Sequence, residues 1–336
     1  MPRVTWELRD YDREFFEREL DDFVPARVYD MHAHLYRASD WQGQPPAEVL
    51  AGPPEITLEV YRQQMQWILP GREVHGLHFP FPGGRPGGIP PEGPNAWVSQ
   101  EIKKDPLARG QFMVRPTDDP EWVRQEVRRL GLRGLKPFAS YAAVPDYSQA
   151  ELPAYLPEPI VAVAHQEGWS ITLHMQRSLS ASDPSNQHWI RTYCQKYPHM
   201  TLILDHSARG FNPYLAWKGL PELAGLDNLY ADTSVCCAPL ATMACLRYLG
   251  PDHVFYASDF FCSHQRGTNL GVNQALFWLS EGEGYWQDEA LNRRVKPTLV
   301  GLENLRAVRA AFHMFNLGDK AIEDYFWGNA ARVLGL

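Results

Sequence analysis

Several things are missing from this sequence, and each absence excludes a class of protein. Its five cysteines (Cys194, Cys236, Cys237, Cys245, Cys262) show no CxxC spacing, and their odd number does not suit a closed disulfide set. They read as reduced, mostly buried thiols. No apolar run approaches the roughly 18 residues that a membrane span needs. No cluster of Lys and Arg stands out and the net charge is −8, which argues against nucleic acid or an anionic membrane as partner. The first residues, Met1-Pro-Arg-Val-Thr-Trp-Glu-Leu-Arg-Asp10, lack the apolar core of a secretory leader, so a cytoplasmic location is expected. Neither an internal repeat nor a low-complexity tract is visible.

What the chain does have is an orderly alternation. After a charged helical lead-in from Tyr11 to about Asp22, eight short apolar runs read as strands: Arg27 to His34, Val74 to Phe79, Gln111 to Arg115, Gly134 to Pro137, Ser170 to His174, Thr201 to His206, Asn228 to Asp232 and His253 to Asp259. Helical stretches fall between many of them: Leu58 to Leu69, Trp122 to Leu130, Ile160 to Glu167, Trp189 to Lys196 and Leu240 to Leu249. Thr117-Asp-Asp-Pro120 marks one helix start with a cap and an early proline. Residues 80–94 are too dense in glycine and proline for regular structure and read as an active-site loop. Three further helices are expected over Gly271 to Ser280, Leu302 to Phe315 and Lys320 to Leu334. Eight strands alternating with helices imply an α/β protein with a parallel sheet closed into a distorted (β/α)8 TIM barrel. A single domain over residues 1–336 accommodates it, with a lead-in over 1–26 and a helical extension over 261–336.

Chemistry gathers at the strand ends. His32 and His34 close the first strand, His174 the fifth, His206 the sixth and Asp259 the eighth. Two residues apart on a strand, His32 and His34 project to one side. Catalytic groups of such barrels lie at the carboxyl ends of the strands, so these side chains meet at one mouth. Three imidazoles and a carboxylate suit one divalent metal, Zn2+ first, with Mn2+ or Fe2+ as alternatives. A metal there brings a water close to ionisation at neutral pH, and Asp259 is placed to take and relay its proton. His206 is either a further ligand or a group acting on that water.

Other polar residues have open roles. Lys136 ends the fourth strand and either bridges two metals as a carbamate, holds a substrate carboxylate, or pairs with a neighbouring acid. Arg177 and Arg209, each three past a strand-end histidine, are candidates to clamp an anionic substrate. His264 lies five past Asp259 and is a weaker candidate; Asp30 and Asp232 could orient site groups. Phe79 and Phe81 are expected to line the pocket, in keeping with the 12% aromatic content. A small-molecule substrate is the expected partner, and a homodimer through residues 11–27 and the C-terminal helices is open.

Six segments carry a family likeness. Val28-Tyr-Asp-Met-His-Ala-His34, Gly131-Leu-Arg-Gly-Leu-Lys-Pro137, Thr172-Leu-His174, Asp205-His206, Tyr256-Ala-Ser-Asp259 and Gly328-Asn-Ala-Ala-Arg-Val-Leu334 resemble the amidohydrolase superfamily. More narrowly they resemble the amidohydrolase 2 group related to aminocarboxymuconate-semialdehyde decarboxylase, over about residues 27–336. The resemblance implies metal binding by His32, His34, His174 and Asp259, with His206 as the catalytic histidine. It also implies either of two reactions: hydrolysis of a lactone, amide or related carbonyl compound, or non-oxidative decarboxylation of an aromatic or muconate-type hydroxy acid. Asp205-His206 followed by Ser207-Ala-Arg-Gly210 is similar to the lactone hydrolases, whereas Gly134-Leu-Lys136 and Asn95 are closer to the decarboxylases. Phe261 stands where that group carries proline. Hydrolysis is the reading carried forward. A catalytically dead binding protein is disfavoured, because the full set of metal residues is retained.

Overall fold

The computed structural model describes residues 6–82, 88–281 and 296–336. Nine parallel segments build its centre: β1 (Arg27–His34), β2 (Glu73–Phe79), β3 (Arg109–Gly110), β4 (Phe112–Val114), β5 (Gly134–Pro137), β6 (Ser170–Leu173), β7 (Thr201–Leu204), β8 (Leu229–Asp232) and β9 (Val254–Phe255). They form two ladders, β1-β2-β3 and β4-β5-β6-β7-β8-β9. β3 and β4 are one strand interrupted at Gln111, whose backbone N–H donates to His78 O at 2.9 Å. On the other side, Ala33 bridges Phe260 in parallel and Met31 N–H donates to Tyr256 O at 3.0 Å. With β3 and β4 counted together, the eight staves of a distorted (β/α)8 barrel go round through these two thin seams.

Local chemistry explains the repeating unit. In the helix Pro120–Leu130 the Asp119 side chain accepts from Trp122 N–H, proline opens the first turn, and Gly131 at φ 70° ends it. Val123, Val127 and Leu130 form its buried stripe. The chain then enters β5 at Gly134, where any Cβ would meet Ser170 O at 2.5 Å, so only glycine lets β5 lie against β6. Along β7, Ile203 joins an apolar cluster with Tyr29, Met31, Leu77, Phe79 and Phe255, while Leu202 and Leu204 pack into the outer core. Ala330 and Leu334 of the helix Asn329–Leu334 cover that inner cluster. Both faces of each short strand are therefore buried, as a parallel barrel requires.

Two expectations change. The stretch 271–280 is not a helix but part of an antiparallel hairpin, β10 (Gly267–Val272) and β11 (Ala275–Ser280), turning through Asn273 at φ 53°. Leu276-Phe-Trp-Leu279 is a continuous apolar run that fits either conformation, and an Asn able to adopt the left-handed region decides for the turn. Among the described residues of the extension after residue 261, the longer helices therefore lie in its last part, over Val300–Met314 and then Asp319 to Leu334. In the glycine-rich loop, residues 83–87 lie outside the described residues, as do 282–295 of the extension. The end of that loop opens the helix Glu92–Ile102. Among the described residues no helix is long and apolar enough to cross a membrane.

Candidate metal centre

The first two ligand candidates sit just past a fault in β1. Its register with β2 slips between Asp30 and Ala33, so strict alternation fails there. Asp30 consequently faces away from the cavity: Tyr61 of the flanking helix donates to its Oδ2 at 2.8 Å. Its other contacts tie two loops together. Asp30 Oδ1 accepts from His32 N–H at 3.0 Å and from Ser258 N–H at 2.8 Å, which fixes His32 relative to the neighbouring Asp259. Burial pushes Asp30 up to about 7 against these hydrogen bonds.

His32 and His34 each have their Nδ1 against a group that can only accept. His32 Nδ1 lies 2.9 Å from Asp232 Oδ2, and His34 Nδ1 lies 3.1 Å from the carbonyl of Pro80. Both Nδ1 atoms therefore carry the hydrogen, and both Nε2 atoms carry a lone pair. Those lone pairs converge on Asp259 Oδ1, at 3.4 Å from His32 and 3.3 Å from His34. Three acceptors this close repel one another unless a cation lies among them. Burial also holds His32 well below its usual value, helped by the Lys136 charge, so a proton on that imidazole is disfavoured. The residues fit a divalent metal by their donor chemistry.

His206 follows β7 in a strained turn. His206, Ser207, Ala208 and Arg209 all have positive φ, between 52° and 60°, a conformation costing about 1–2 kcal/mol per residue for L-amino acids. Asp232 Oδ1 compensates by accepting the His206 backbone N–H at 2.9 Å. The His206 ring contacts His174 (Nε2 to Nδ1, 3.1 Å), and Phe211 stacks on it with centroids 5.0 Å apart. Burial lowers both imidazoles, His174 to about 3 and His206 well below its usual value. Among the described residues, three sets have ligand atoms mutually within 4.8 Å: His32, His206 and Asp259; His174, Asp205 and His206; His32, Asp205 and Asp232.

These groups open into a cavity of about 680 Å3. Phe81, Phe138, Phe211, Phe261 and Trp278 supply its aromatic walls, and Arg209 is among its polar lining. Lys136 reaches the same floor, donating to Asp205 at 2.5 Å with Phe79 beneath its ammonium at 4.4 Å. Burial pushes Asp205 up to about 8, against the pull of Lys136, and among the described residues its Oδ1 has no hydrogen bond.

The other sequence candidates are placed less centrally. Phe79 lies behind the ligand candidates, its ring 4.9 Å from those of both His32 and His34. Arg177 is held by Asp183 at 2.8 Å, and its carbonyl accepts from Arg209. His264 is buried between Trp6 and Trp67 and bonds Gln64 O at 2.9 Å. Asp205, Ser234, Phe211 and Trp278 received no role from the sequence. Asp205 had a signal, as the residue before a strand-end histidine; the other three had none.

A family model described as amidohydrolase matches residues 29–336. No curated protein matches the sequence. Among solved structures, a zinc-bound amidohydrolase from Burkholderia multivorans is 14% identical, with 93% of this chain and 100% of that chain covered and a TM-score of 0.57. A 5-carboxyvanillate decarboxylase from Sphingomonas paucimobilis is 15% identical over 93% and 100%, TM-score 0.57. A putative 2-pyrone-4,6-dicarboxylic acid hydrolase from Pseudomonas putida is 16% identical over 93% and 98%, TM-score 0.54. At these identities the likeness is one of fold.

Proposed function

The chain belongs to the amidohydrolase family, and from that premise we propose that it is a metal-dependent hydrolase of a small carboxylate-bearing lactone, amide or related carbonyl compound. The observation that carries the proposal is that Asp259 Oδ1 lies 3.4 Å from His32 Nε2 and 3.3 Å from His34 Nε2, all three of them acceptors that a shared cation would reconcile. His174 completes the ligand set, and one ion, Zn2+ before Mn2+ or Fe2+, is the cofactor. A bound divalent ion supplies Lewis acidity and lowers the pKa of a water in its shell.

The chain's own residues do the rest. His206, kept unprotonated by burial, is a base facing the cavity. Asp259 is placed to accept a proton at Oδ2 and return it to a leaving group. Arg209 lines the cavity and, among the described residues, pairs with no carboxylate, which suits an anionic substrate. The aromatic walls suit a planar body. The zinc-bound and 2-pyrone-hydrolase relatives support this reading by fold alone.

One observation favours decarboxylation of an aromatic or muconate-type hydroxy acid instead. Asp205 lines the same cavity, and burial pushes it up to about 8, so it can donate a proton to carbon. The test is metal-loaded protein against a panel of lactones, amides and phenolic acids. A new carboxylate without CO2 supports hydrolysis; CO2 release overturns it in favour of the second reading.

A further inference from the structure

Asp232 touches both halves of the centre. Fully buried, it spends Oδ2 on His32 Nδ1 and Oδ1 on three donors: the backbone N–H of His206 at 2.9 Å, the backbone N–H of Ser234 at 3.0 Å, and the Ser234 hydroxyl at 2.6 Å. The Ser234 oxygen in turn lies 2.8 Å from His206 Nδ1. A hydroxyl has one hydrogen. If Ser234 gave it to His206, two oxygens would face each other at 2.6 Å with no hydrogen between them. The hydrogen therefore goes to the carboxylate, the stronger acceptor, and Ser234 must accept from His206 Nδ1–H.

The same elimination runs one residue further. With its hydrogen on Nδ1, His206 presents a lone pair at Nε2, so His174 must be the donor across their 3.1 Å contact. His174 then carries its hydrogen on Nδ1 and a lone pair on Nε2, as His32 and His34 do. We propose that Asp232 and Ser234 are positioning residues that set where the imidazoles carry their hydrogens. The Oδ2 arm presents the lone pair of His32 to the metal. The Oδ1–Ser234 arm makes His206 an acceptor at Nε2, which takes the His174 Nδ1–H and serves as a base toward the cavity only when that contact opens.

The use made of that base rests on the hydrolase reading; the hydrogen positions do not. They can be read in metal-free protein by long-range 1H–15N correlation of histidine-labelled samples. Wild type should show His206 protonated at Nδ1 only. Ser234→Ala should shift His206 toward the Nε2–H form and lower kcat about 10- to 100-fold with KM little changed, while zinc stoichiometry stays at wild type. Ser234→Thr should restore both. Asp232→Ala should weaken zinc binding about 10- to 100-fold as well. An Nε2–H His206 in the wild type overturns the proposal, as does an unchanged tautomer in Ser234→Ala. Absence of hydrolysis with the expected tautomers would sink the hydrolase reading and leave this one standing.

Discussion

Lys136 and Asp205 form an ion pair at the floor of the cavity, 2.5 Å apart and each 1% exposed. A carbamate on Lys136 would remove the cation that donates to Asp205 and put an anion in its place, so the contact favours an unmodified lysine and a single metal. Lys136→Met should therefore leave one ion per chain in a metal assay; two ions in the wild type would contradict this. The variant should also be destabilised by about 3 kcal/mol, because a buried carboxyl loses its partner. Without the ammonium Asp205 rises further above its already raised value. A folded-state pKa above the unfolded one gives stability that is lost as pH rises through the folded value, so urea midpoints of both proteins should fall toward pH 8, and those of Lys136→Met should go on falling above pH 8, where wild type levels off. Adding Asp205→Leu should remove that slope and recover most of the loss.

Among the described residues Arg209 makes one hydrogen bond, to the carbonyl of Arg177 at 2.7 Å, and its side chain lines the cavity. Charge-assisted hydrogen bonds are worth about 1.5–3 kcal/mol each. Arg209→Met should raise KM for a carboxylate-bearing substrate about 10- to 100-fold and leave its uncharged ester analogue little affected. Arg209→Lys should recover only part, since an ammonium lacks the planar fork. Equal losses for acid and ester would remove Arg209 from substrate binding.

The strand-end histidines and Asp259 were legible because a parallel barrel sends the end of every strand to one mouth, so position along the chain implies proximity. Asp232 closes β8 by the same logic, yet its link to Ser234 and His206 depends on side-chain rotation that no spacing encodes. Lys136 and Asp205 are 69 residues apart and carry no shared pattern. Strict alternation along β1 would put Asp30 on the side of His32 and His34, and the register slip after Asp30 breaks that alternation. The hairpin was misread because its inward residues Leu276 and Trp278 and outward residues Leu270 and Phe277 are all apolar, which hides the period of two.

That hairpin reaches the chemistry through two successive ring contacts. Trp278 packs on Phe211 at 5.3 Å, and Phe211 lies on His206. Asn212, next to Phe211, donates to the carbonyls of Asn273 and Ala275 and so fixes the hairpin tip. An aromatic contact contributes about 0.5–1.5 kcal/mol beyond the area it buries. Trp278→Ala should lower kcat/KM about 3- to 10-fold for planar ring substrates and less for acyclic ones. Phe81→Ala should act in the same direction, whereas Phe79→Ala should chiefly disturb metal binding, since Phe79 packs behind His32 and His34. An identical loss on both substrate types would place Trp278 outside the recognition surface.

Buried histidines away from the candidate metal centre give the protein an acid limit that can be assigned. Burial lowers His264 to about 4 and His78 to about 3, and among the described residues both ring nitrogens of His78 lack a hydrogen-bond partner. In the unfolded chain both titrate near 6.5, so below that pH the unfolded state binds more protons than the folded one. Their contribution is present above 6.5 and is lost as pH falls toward the folded values, amounting to about 2 kcal/mol for each by pH 5. Metal-free protein should therefore show a urea midpoint that declines steadily from pH 7 to pH 5. His264→Gln keeps a donor for Gln64 O and removes the titrating ring, so the slope of stability against pH should shrink by about one proton in this window. A slope unchanged by the substitution would mean that His264 is already protonated in the folded protein, in conflict with its position between Trp6 and Trp67.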